Sequence, residues 1–335
     1  MYRFAVSSYI SREMWRKLAA KERVKENDMR KNYHLCLSGG NEIIFRDLED
    51  YNRGFNIFAL ALHKTNTTGL AESFMSTHCH LIVQSDDPDL FIHSFRNAYS
   101  KYFNRKYHRN GRLGESRHFS MEVTGYHHLI AAISYTLRNA LHHGVVPIPY
   151  AYPYCSANAF FRKEMGKFTT EPVLPSNASY LKHIGRNYDY PSSYKMSASG
   201  VFLRESVLDV PQVENLFLTP RAFNYYMTRK SSEEWEAEQN KDKSPTSPIN
   251  ISKIESGITI NRLDEMIYYE AGKADYRKSS DLALCTEINA IVKEHYYKDS
   301  VYQLTIKEQR EIAEYLYKSG HHNTIQIQRC LVMLK

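Results

Sequence analysis

Residues 69–84, GLAESFMSTHCHLIVQ, decide the fold of this chain because they hold two short strand-like runs separated by Ser76-Thr77. Side chains alternate along a strand, so Cys79, Leu81 and Val83 share one face, whereas His78, His80 and Gln84 share the other. His78 and His80 therefore lie on the same face, with their Cα atoms about 7 Å apart. This spacing lets both imidazoles reach one divalent ion, whereas the simpler interpretation is two unconnected histidines in a chain that has 15.

The segments on either side of these runs complete a βαββαβ order. Residues 32–37 have strand composition, and residues 47–65 place apolar side chains at helical spacing. A second helical pattern begins after the start signal Asp86-Asp87-Pro88 and runs to the basic cluster around Lys106. Residues 117–123 can form a fourth strand. The order predicts an α+β fold, a ferredoxin-like antiparallel sheet with helices on one face, followed by a mostly helical C-terminal region.

A further helix is predicted from Tyr126 to His143, where Gly144 ends it. Its apolar residues form one stripe, which we expect to face the core. Tyr135 and Asn139, four positions apart, lie on the opposite side of the helix. An exposed helix face that happens to carry a Tyr and an Asn is the simpler alternative.

Four regions are predicted along the chain. A segment with three prolines, PIPYAYPY, ends the first region at about residue 150, because Pro interrupts helices and central strands. The second region has no motif that we can assign, the third is polar and charged as linkers are, and the fourth is helical. The predicted regions are 1–150, 151–228, 229–250 and 251–335, with a candidate helix-turn-helix at 304–333.

The candidate helix-turn-helix consists of a capping box, Thr305-x-x-Glu308, a turn at Gly320, and a second helix that begins at Asn323 or Thr324. In DNA-binding proteins of this kind the second helix carries the side chains that read bases or contact phosphates. Any helical hairpin gives the same pattern, so a structural role stays open. The candidate readers are Gln326, Gln328 and Arg329.

The composition is that of a soluble globular protein, with 335 residues, 42% hydrophobic residues and a net charge of +7. It excludes collagen-like, disulfide-dense and generally disordered proteins. The five cysteines are scattered and form no C-x-x-C pair, so we expect no disulfide framework and a reducing, cytoplasmic setting. The first 17 residues lack an apolar signal core and the longest apolar run is short, so we expect no secretion signal and no membrane partner.

Positive charge is concentrated in residues 95–145, which hold eight Lys or Arg against two Glu. Aromatic residues interleave with these cations. This mixture suits a nucleic-acid strand, because phosphates need neutralising charge and bases need stacking surfaces. A solvated helix face with tyrosines at the edge of the core stands as the alternative.

The two histidines, the Asn139 amide oxygen and the Tyr135 hydroxyl together predict a metal site beside a nucleophile. Nitrogen and oxygen ligands with room for a phosphate oxygen suit Mg²⁺ or Mn²⁺. A free tyrosine hydroxyl has a pKa near 10 and is a poor nucleophile, so a metal is needed to polarise the phosphate under attack. The predicted reaction is phosphoryl transfer to Tyr135.

These motifs resemble a known family. His78-Cys79-His80 resembles the His-hydrophobic-His signature of the HUH nucleases, and Tyr135-x-x-x-Asn139 followed by Gly144-Val145-Val146 resembles the single-tyrosine transposases. The most similar subgroup is the REP-associated tyrosine transposases, relatives of the small insertion-sequence transposases that act on single-stranded DNA. The resemblance covers about residues 31–150 and includes Tyr33-His34, Phe45-x-Asp47, Tyr102-Phe103-Asn104-x-x-Tyr107 and Gly111-x-Leu113.

The resemblance implies an enzyme that binds a DNA hairpin, cuts one strand through Tyr135 and holds the 5′ end as a phosphotyrosine ester until a 3′-OH rejoins the DNA. It assigns the metal ligands to His78, His80 and Asn139, with Mg²⁺ or Mn²⁺ as cofactor and single-stranded or hairpin DNA as partner. Whether the protein is a homodimer whose tyrosine helix acts on the partner subunit stays open. The implied contacts to the DNA backbone are Arg96, Lys101, Arg105, Lys106, Arg109, Arg112 and Arg117.

Two positions depart from the family pattern. Met75-Ser76-Thr77 stands where many relatives have Met-Pro-Asn, and Ala140 stands where Pro commonly follows the Asn. These departures keep open a domesticated, sequence-specific DNA-binding protein without catalytic activity. A third hypothesis is a structural zinc protein, which strand alternation disfavours because it turns Cys79 away from the two imidazoles. Its ligands would come from His34, Cys36, His78, Cys79 and His80.

Overall fold

The computed structural model describes residues 30–167, 175–184, 189–229, 233–242, 247–255, 268–270, 273–275, 279–320 and 322–333. Residues 1–29, which belong to the predicted first region and bear on the expectation of no secretion signal, lie outside the described residues. Parts of the predicted linker, at 230–232 and 243–246, also lie outside them.

A four-stranded antiparallel sheet is the centre of the fold. Its strands are β1 (Lys31–Ser38), β2 (Thr68–Phe74), β3 (His78–Ser85) and β4 (Phe119–Val123), in the order β2-β3-β1-β4. Helix α1 (Leu48–Lys64) connects β1 to β2, and helix α2 (Pro88–Lys106) connects β3 to β4. A βαββαβ chain with this strand order is ferredoxin-like. The predicted α+β fold is therefore confirmed.

Both connecting helices begin at an aspartate cap, as the sequence indicated for the second of them. The Asp47 side chain accepts a hydrogen bond from the Asp50 amide, and the Asp87 side chain accepts one from the Leu90 amide. Pro88 follows the second cap, where its missing N–H costs nothing. The two helices then cover one face of the sheet, where the Phe74 ring of β2 contacts rings from both.

The opposite face of the sheet is also covered. Helix α3 (Tyr126–Leu137) contacts β2, β3 and β4, and a short helix α4 (Asn139–His142) follows it after a break at Arg138, where φ is −94° and ψ is 3°. The sequence predicted one uninterrupted helix here and an open sheet face beneath it. The structure instead places helices on both faces, so the polar residues of β3 lie in the interior.

The middle region shares its core with the sheet. One hydrophobic cluster runs from Leu35 to Ile254, across the boundary that the sequence suggested at residue 150. Because α3 is buried from His128 to Leu137, it needs packing partners on more than its sheet side. Contacts from α7, α8 and α9 supply them. Helix α9 lies in the predicted linker and α10 at the start of the predicted fourth region. The helices from residue 177 to residue 255 are α5 (Asn177–His183), α6 (Arg204–Val207), α7 (Val210–Phe217), α8 (Pro220–Thr228), α9 (Glu233–Gln239) and α10 (Ile251–Glu255).

The C-terminal region forms a second, smaller hydrophobic cluster, into which Ile43 from the loop after β1 inserts. The predicted capping box is present, since Thr305 and Glu308 bond each other's backbone N–H, and Gly320 ends that helix at a φ of 73°. A short hairpin accompanies the helices of this mostly helical region. The elements are β5 (Tyr268–Glu270), β6 (Lys273–Asp275), α11 (Asp281–His295), α12 (Ile306–Ser319) and α13 (Thr324–Cys330).

In the described part of the chain, no helix combines the length and apolar character needed to cross a membrane.

Candidate active site

Three histidines share the sheet face beneath α3, and two of them are predicted metal ligands. Paired residues of antiparallel strands point to the same side, and the register sets Cys36 opposite His80 and His34 opposite Ile82. His34 of β1 therefore joins His78 and His80 of β3 on this face. Alternation within β1 shows that His34 points to one of two sides, but only the pairing register shows which one.

The four side chains that the sequence singled out come together under α3. The ring centres of His78 and His80 are 5.0 Å apart, and the His80 ring is 5.2 Å from the Tyr135 ring. The Asn139 Oδ1 atom lies 3.0 Å from His78 Nε2. Asn139 also donates from Nδ2 to the Tyr135 hydroxyl at 3.5 Å. A phenol, two imidazoles and an amide thus form one connected cluster.

The side of α3 that faces the sheet is not the side that its sequence suggested. We expected the apolar stripe to face the core, with Tyr135 and Asn139 turned away from it. Tyr135 is only 4% exposed and Asn139 is fully buried, because the sheet covers one side of the helix and the middle region covers another. The apolar stripe and the side that carries Tyr135 and Asn139 are both buried. The expectation that Tyr135 is not a core tyrosine is therefore wrong.

Burial keeps the imidazoles of the cluster neutral. Burial lowers the pKa of His34 to about 3 and the pKa of His78 to about 4, against the opposing effect of the Asn139 hydrogen bond on His78. Burial, reinforced by the neighbouring imidazoles, holds the pKa of His80 well below its ordinary value. Neutral rings keep a lone pair on one nitrogen, which is the form that binds a metal ion or accepts a proton.

Two more histidines connect the cluster to its surroundings, and the sequence did not include them among the site residues. The His143 ring centre lies 5.5 Å from that of His78, and the His142 ring centre lies 6.1 Å from that of Tyr135. His142 is exposed, so a row of rings leads from solvent to the buried cluster. The sequence signal that could have identified them is their position, three and four residues after Asn139, or about one helical turn.

The donor atoms of the cluster fit a divalent cation. His80 Nε2 is buried without a hydrogen-bond partner among the described residues. His78 Nε2 and Asn139 Oδ1 are hydrogen-bonded at 3.0 Å, and a cation bound by both atoms would take the place of the proton between them. No group of three or more His, Cys, Asp or Glu side chains within the described residues is arranged to hold a metal. An ion here would thus need the amide oxygen as its third protein ligand.

The residues of the zinc hypothesis do not converge on one point. Cys79 pairs with Leu37 and Phe74, and Phe74 packs against the rings of α1 and α2 on the other side of the sheet. Strand alternation therefore separates Cys79 from His78 and His80, as the sequence predicted.

The seven predicted DNA contacts divide into two groups. Arg96 donates to the backbone oxygens of Ser116, at 2.8 Å, and of Glu115. Lys106 pairs with two aspartates of the α1 N-terminus at 2.6 and 2.8 Å, and Arg109 pairs with a loop glutamate at 3.2 Å. Arg96 thus ties a loop to α2, Lys106 ties α2 to the start of α1, and Arg109 ties two loops together. The other four, Lys101, Arg105, Arg112 and Arg117, are exposed.

A polar groove lies on the outer side of α2. It has a volume of ≈ 320 Å³, and its lining includes Arg96, Lys101 and Arg112 together with two asparagines of the same helix. Because Arg96 is fixed by the following loop, the groove presents ordered positive charge. A groove of this kind suits a phosphate backbone.

Two of the three candidate readers in the C-terminal region face the interior. Gln326 is 2% exposed and donates to the Ser279 backbone oxygen at 2.9 Å. Arg329 is 1% exposed and pairs with Asp281 at 2.8 Å. The expectation that these two side chains read DNA is wrong, because they hold α13 to α11. Gln328 is half-buried.

Fold and site together define an α+β protein of ferredoxin-like topology with a buried tyrosine, histidine and asparagine cluster. Among solved structures, the chain is similar to a REP-associated tyrosine transposase bound to a REP hairpin, with a TM-score of 0.35 and 10% sequence identity over 48% of this chain and 89% of that chain. No family model matches the chain, and no curated protein matches it. At this distance we infer neither fold nor function from the similarity.

Proposed function

We propose that this protein is a transposase of the HUH type, a metal-dependent enzyme that cleaves and rejoins single-stranded DNA at hairpins. The observation that carries the proposal is the convergence of the Tyr135 phenol with His78, His80 and Asn139 in one buried cluster. The polar groove on the outer side of α2 supports DNA as the partner. The proposed setting is cytoplasmic.

In the proposed reaction, the Tyr135 oxygen attacks a DNA phosphorus atom and the bond from phosphorus to the 3′ oxygen breaks. The tyrosine loses one proton and the departing 3′ oxygen gains one, so the step is balanced. The 5′ end remains as a phosphotyrosine ester. Because this ester conserves the energy of the broken bond, a 3′-OH can later attack it and rejoin the DNA without a nucleoside triphosphate as energy source.

His78, His80 and Asn139 would hold Mg²⁺ or Mn²⁺, which would polarise the phosphate and stabilise the charge that develops on it. Because both imidazoles are neutral, they would bind the cation without first releasing the proton of a charged imidazolium. The Asn139 amide has a second function, because its Nδ2 donates to the Tyr135 hydroxyl and aligns the phenol with the ligand set. Exposed Lys101, Arg105, Arg112 and Arg117 would contact the DNA backbone, with Arg96, Lys106 and Arg109 ordering the loops behind them.

One observation favours a second candidate function, a DNA-binding protein without catalysis. Tyr135 is 4% exposed and both imidazoles of β3 are buried, so the cluster is closed in this conformation. A protein that retained the groove but never opened the cluster would bind DNA and leave it intact.

The test uses a labelled single-stranded hairpin oligonucleotide, with Mg²⁺ or Mn²⁺, and a denaturing gel. The wild type should form a covalent adduct, and Tyr135→Phe should abolish it while binding in a mobility-shift assay stays nearly unchanged. Chelation of the metal should also abolish the adduct. Tyr33→Phe is the matched control, because it removes a phenol from β1 outside the cluster, and it should leave the adduct in place.

The two candidate functions give different results in this assay. If the wild type binds a broad set of hairpins and forms no adduct with any of them, the catalytic proposal is wrong and the binding protein remains.

A further inference from the structure

A hydrogen bond joins the buried imidazoles of His34 and His80. His34 Nε2 lies 2.9 Å from His80 Nδ1, and both residues are 0% exposed. Neither ring bonds a carboxylate among the described residues. Two neutral rings at this distance share one proton, which belongs to one nitrogen or the other.

The location of that proton decides what His80 presents to the candidate active site. If His34 Nε2 carries it, His80 must carry its own proton on Nε2, and this N–H points into the cluster. If His80 Nδ1 carries it, Nε2 is left with a bare lone pair. The second arrangement is the one in which His80 can bind a cation.

We propose that His34 is a positioning residue, which accepts the Nδ1 proton of His80 and thereby turns the Nε2 lone pair of His80 toward the cation site. This inference rests on the proposed function, because it concerns the metal that His80 would hold. Metal-binding histidines generally donate their second ring N–H to a fixed acceptor, which sets tautomer and ring orientation. Here the acceptor is another imidazole.

The surroundings of His80 agree with this assignment. The His80 ring stands edge-to-face against the rings of both His78 and Tyr135, at interplanar angles of 81° and 90°. Its Nε2 atom is buried and has no hydrogen-bond partner in the described structure. The ring cannot turn over without giving up its bond to His34. His34 therefore fixes which nitrogen of His80 faces the cluster.

The first test reads the tautomer directly. In ¹⁵N-labelled protein, NMR correlation of ring nitrogens with ring protons distinguishes an imidazole protonated on Nδ1 from one protonated on Nε2. We expect His80 to be protonated on Nδ1, both without added metal and with Mg²⁺. A His80 protonated on Nε2 in the Mg²⁺-containing sample would overturn the proposal.

The second test distinguishes the role of His34 as a hydrogen-bond acceptor from its role in filling space. His34→Phe keeps an aromatic ring but has no acceptor, and we expect Mn²⁺ affinity, measured by titration calorimetry, to fall about 10- to 100-fold. His34→Gln places an amide oxygen near the former Nε2 position and should retain most of the affinity. Thermal unfolding of both variants verifies that they are folded.

If the two variants lose the same affinity, His34 only fills space and the proposal is wrong. The tautomer and Mn²⁺-affinity measurements do not depend on whether the protein cleaves DNA. A wild type that shows the expected tautomer and Mn²⁺ binding but no DNA adduct would refute the catalytic function and leave the role of His34 intact. A wild type that binds no Mn²⁺ would refute both.

Discussion

Asn139 is the residue whose contacts best explain the geometry of the cluster. Its amide has two different ends, and each has a different partner: Oδ1 lies against His78 Nε2, and Nδ2 donates to the Tyr135 hydroxyl. The NH₂ end faces the hydroxyl and the oxygen end faces His78. This orientation points the oxygen to the place where a cation would lie.

This role predicts a cost for removing the amide. Asn139→Ala leaves the buried His78 Nε2 without its partner, and we expect the free energy of unfolding to fall by about 1–3 kcal/mol. Urea unfolding measures it. Asn97→Ala, on the exposed side of α2, is the matched control and should change little. Equal effects of the two substitutions would show that the amide of Asn139 does not satisfy His78.

At the scale of elements, the N-terminus of α3 is capped by a residue far away in sequence. Its own N-cap is Gly125, which has no side chain to offer. Asp242, just after α9, accepts from the His128 backbone N–H at 3.0 Å and from the Nδ1 atoms of His127 and His128 at 2.7 and 2.8 Å. Only a glycine fits at 125, because its φ is 110° and a Cβ would lie 2.4 Å from the Asp242 carboxylate.

This cap gives α3 a pH-dependent stability. Burial alone would raise the pKa of Asp242, but the hydrogen bonds from His128 and His127 outweigh burial and hold the pKa below its ordinary value of 3.8. A carboxyl with a lower pKa in the folded state stabilises the protein at pH values above its unfolded pKa. That contribution is lost as the pH falls through the folded pKa.

Asp242→Asn keeps an oxygen acceptor for the N-terminus of α3 but removes its negative charge, so it should lower the melting temperature at neutral pH by an amount that corresponds to about 0.3–1 kcal/mol. The difference between variant and wild type should shrink as the pH falls below about 4. Thermal unfolding across this pH range measures it. Asp189→Asn, at a side chain that is 98% exposed, is the control, and the same pH profile in both variants would contradict the assignment.

On the scale of the whole molecule, the middle region is fastened to the sheet domain by buried polar contacts. Arg204 donates to the fully buried Glu72 of β2 at 2.6 Å and lies over the Phe55 ring of α1 at 4.4 Å. The Asn56 side chain of α1 bonds the backbone of residues 183, 200 and 202. The region that lacked any sequence motif is thus the support that holds α3 against the sheet.

Arg204→Ala tests this connection. It leaves the Glu72 carboxylate buried without its cation, and we expect about 3–5 kcal/mol of destabilisation, nearer the lower value because Arg204 is 22% exposed. Chemical denaturation measures the loss. Arg221→Ala removes an exposed arginine of α8 and should have almost no effect. A similarly small effect for Arg204→Ala would mean that the ion pair does not hold the two parts together.

The C-terminal cluster is joined to the sheet domain near the candidate active site. Asp281 pairs with Arg329 and accepts from the Ser76 hydroxyl at 2.8 Å, and Arg46 donates to the Cys330 backbone oxygen at 2.8 Å. Ser76 lies in the turn just before β3. The C-terminal helices therefore support the turn from which His78 and His80 extend.

The sequence alone determined the elements that depend on local rules. Alternation placed His78 and His80 on one face, and Asp86-Asp87-Pro88 marked the start of α2. The capping box marked the start of α12, and the order of elements predicted the ferredoxin-like sheet. These features depend on neighbours within a few positions, where backbone geometry and hydrogen bonding act directly.

Only the tertiary structure decided which surfaces meet. Periodicity shows that a helix has two sides, but it does not show that a second layer of helices will bury both of them, as happens to Tyr135 in α3. Strand register brought His34 to His80, and distant carboxylates engaged Lys106 and Arg329. Burial of apolar surface brings together the segments that carry these contacts, which lie far apart in the chain, and no local pattern records which segments those will be.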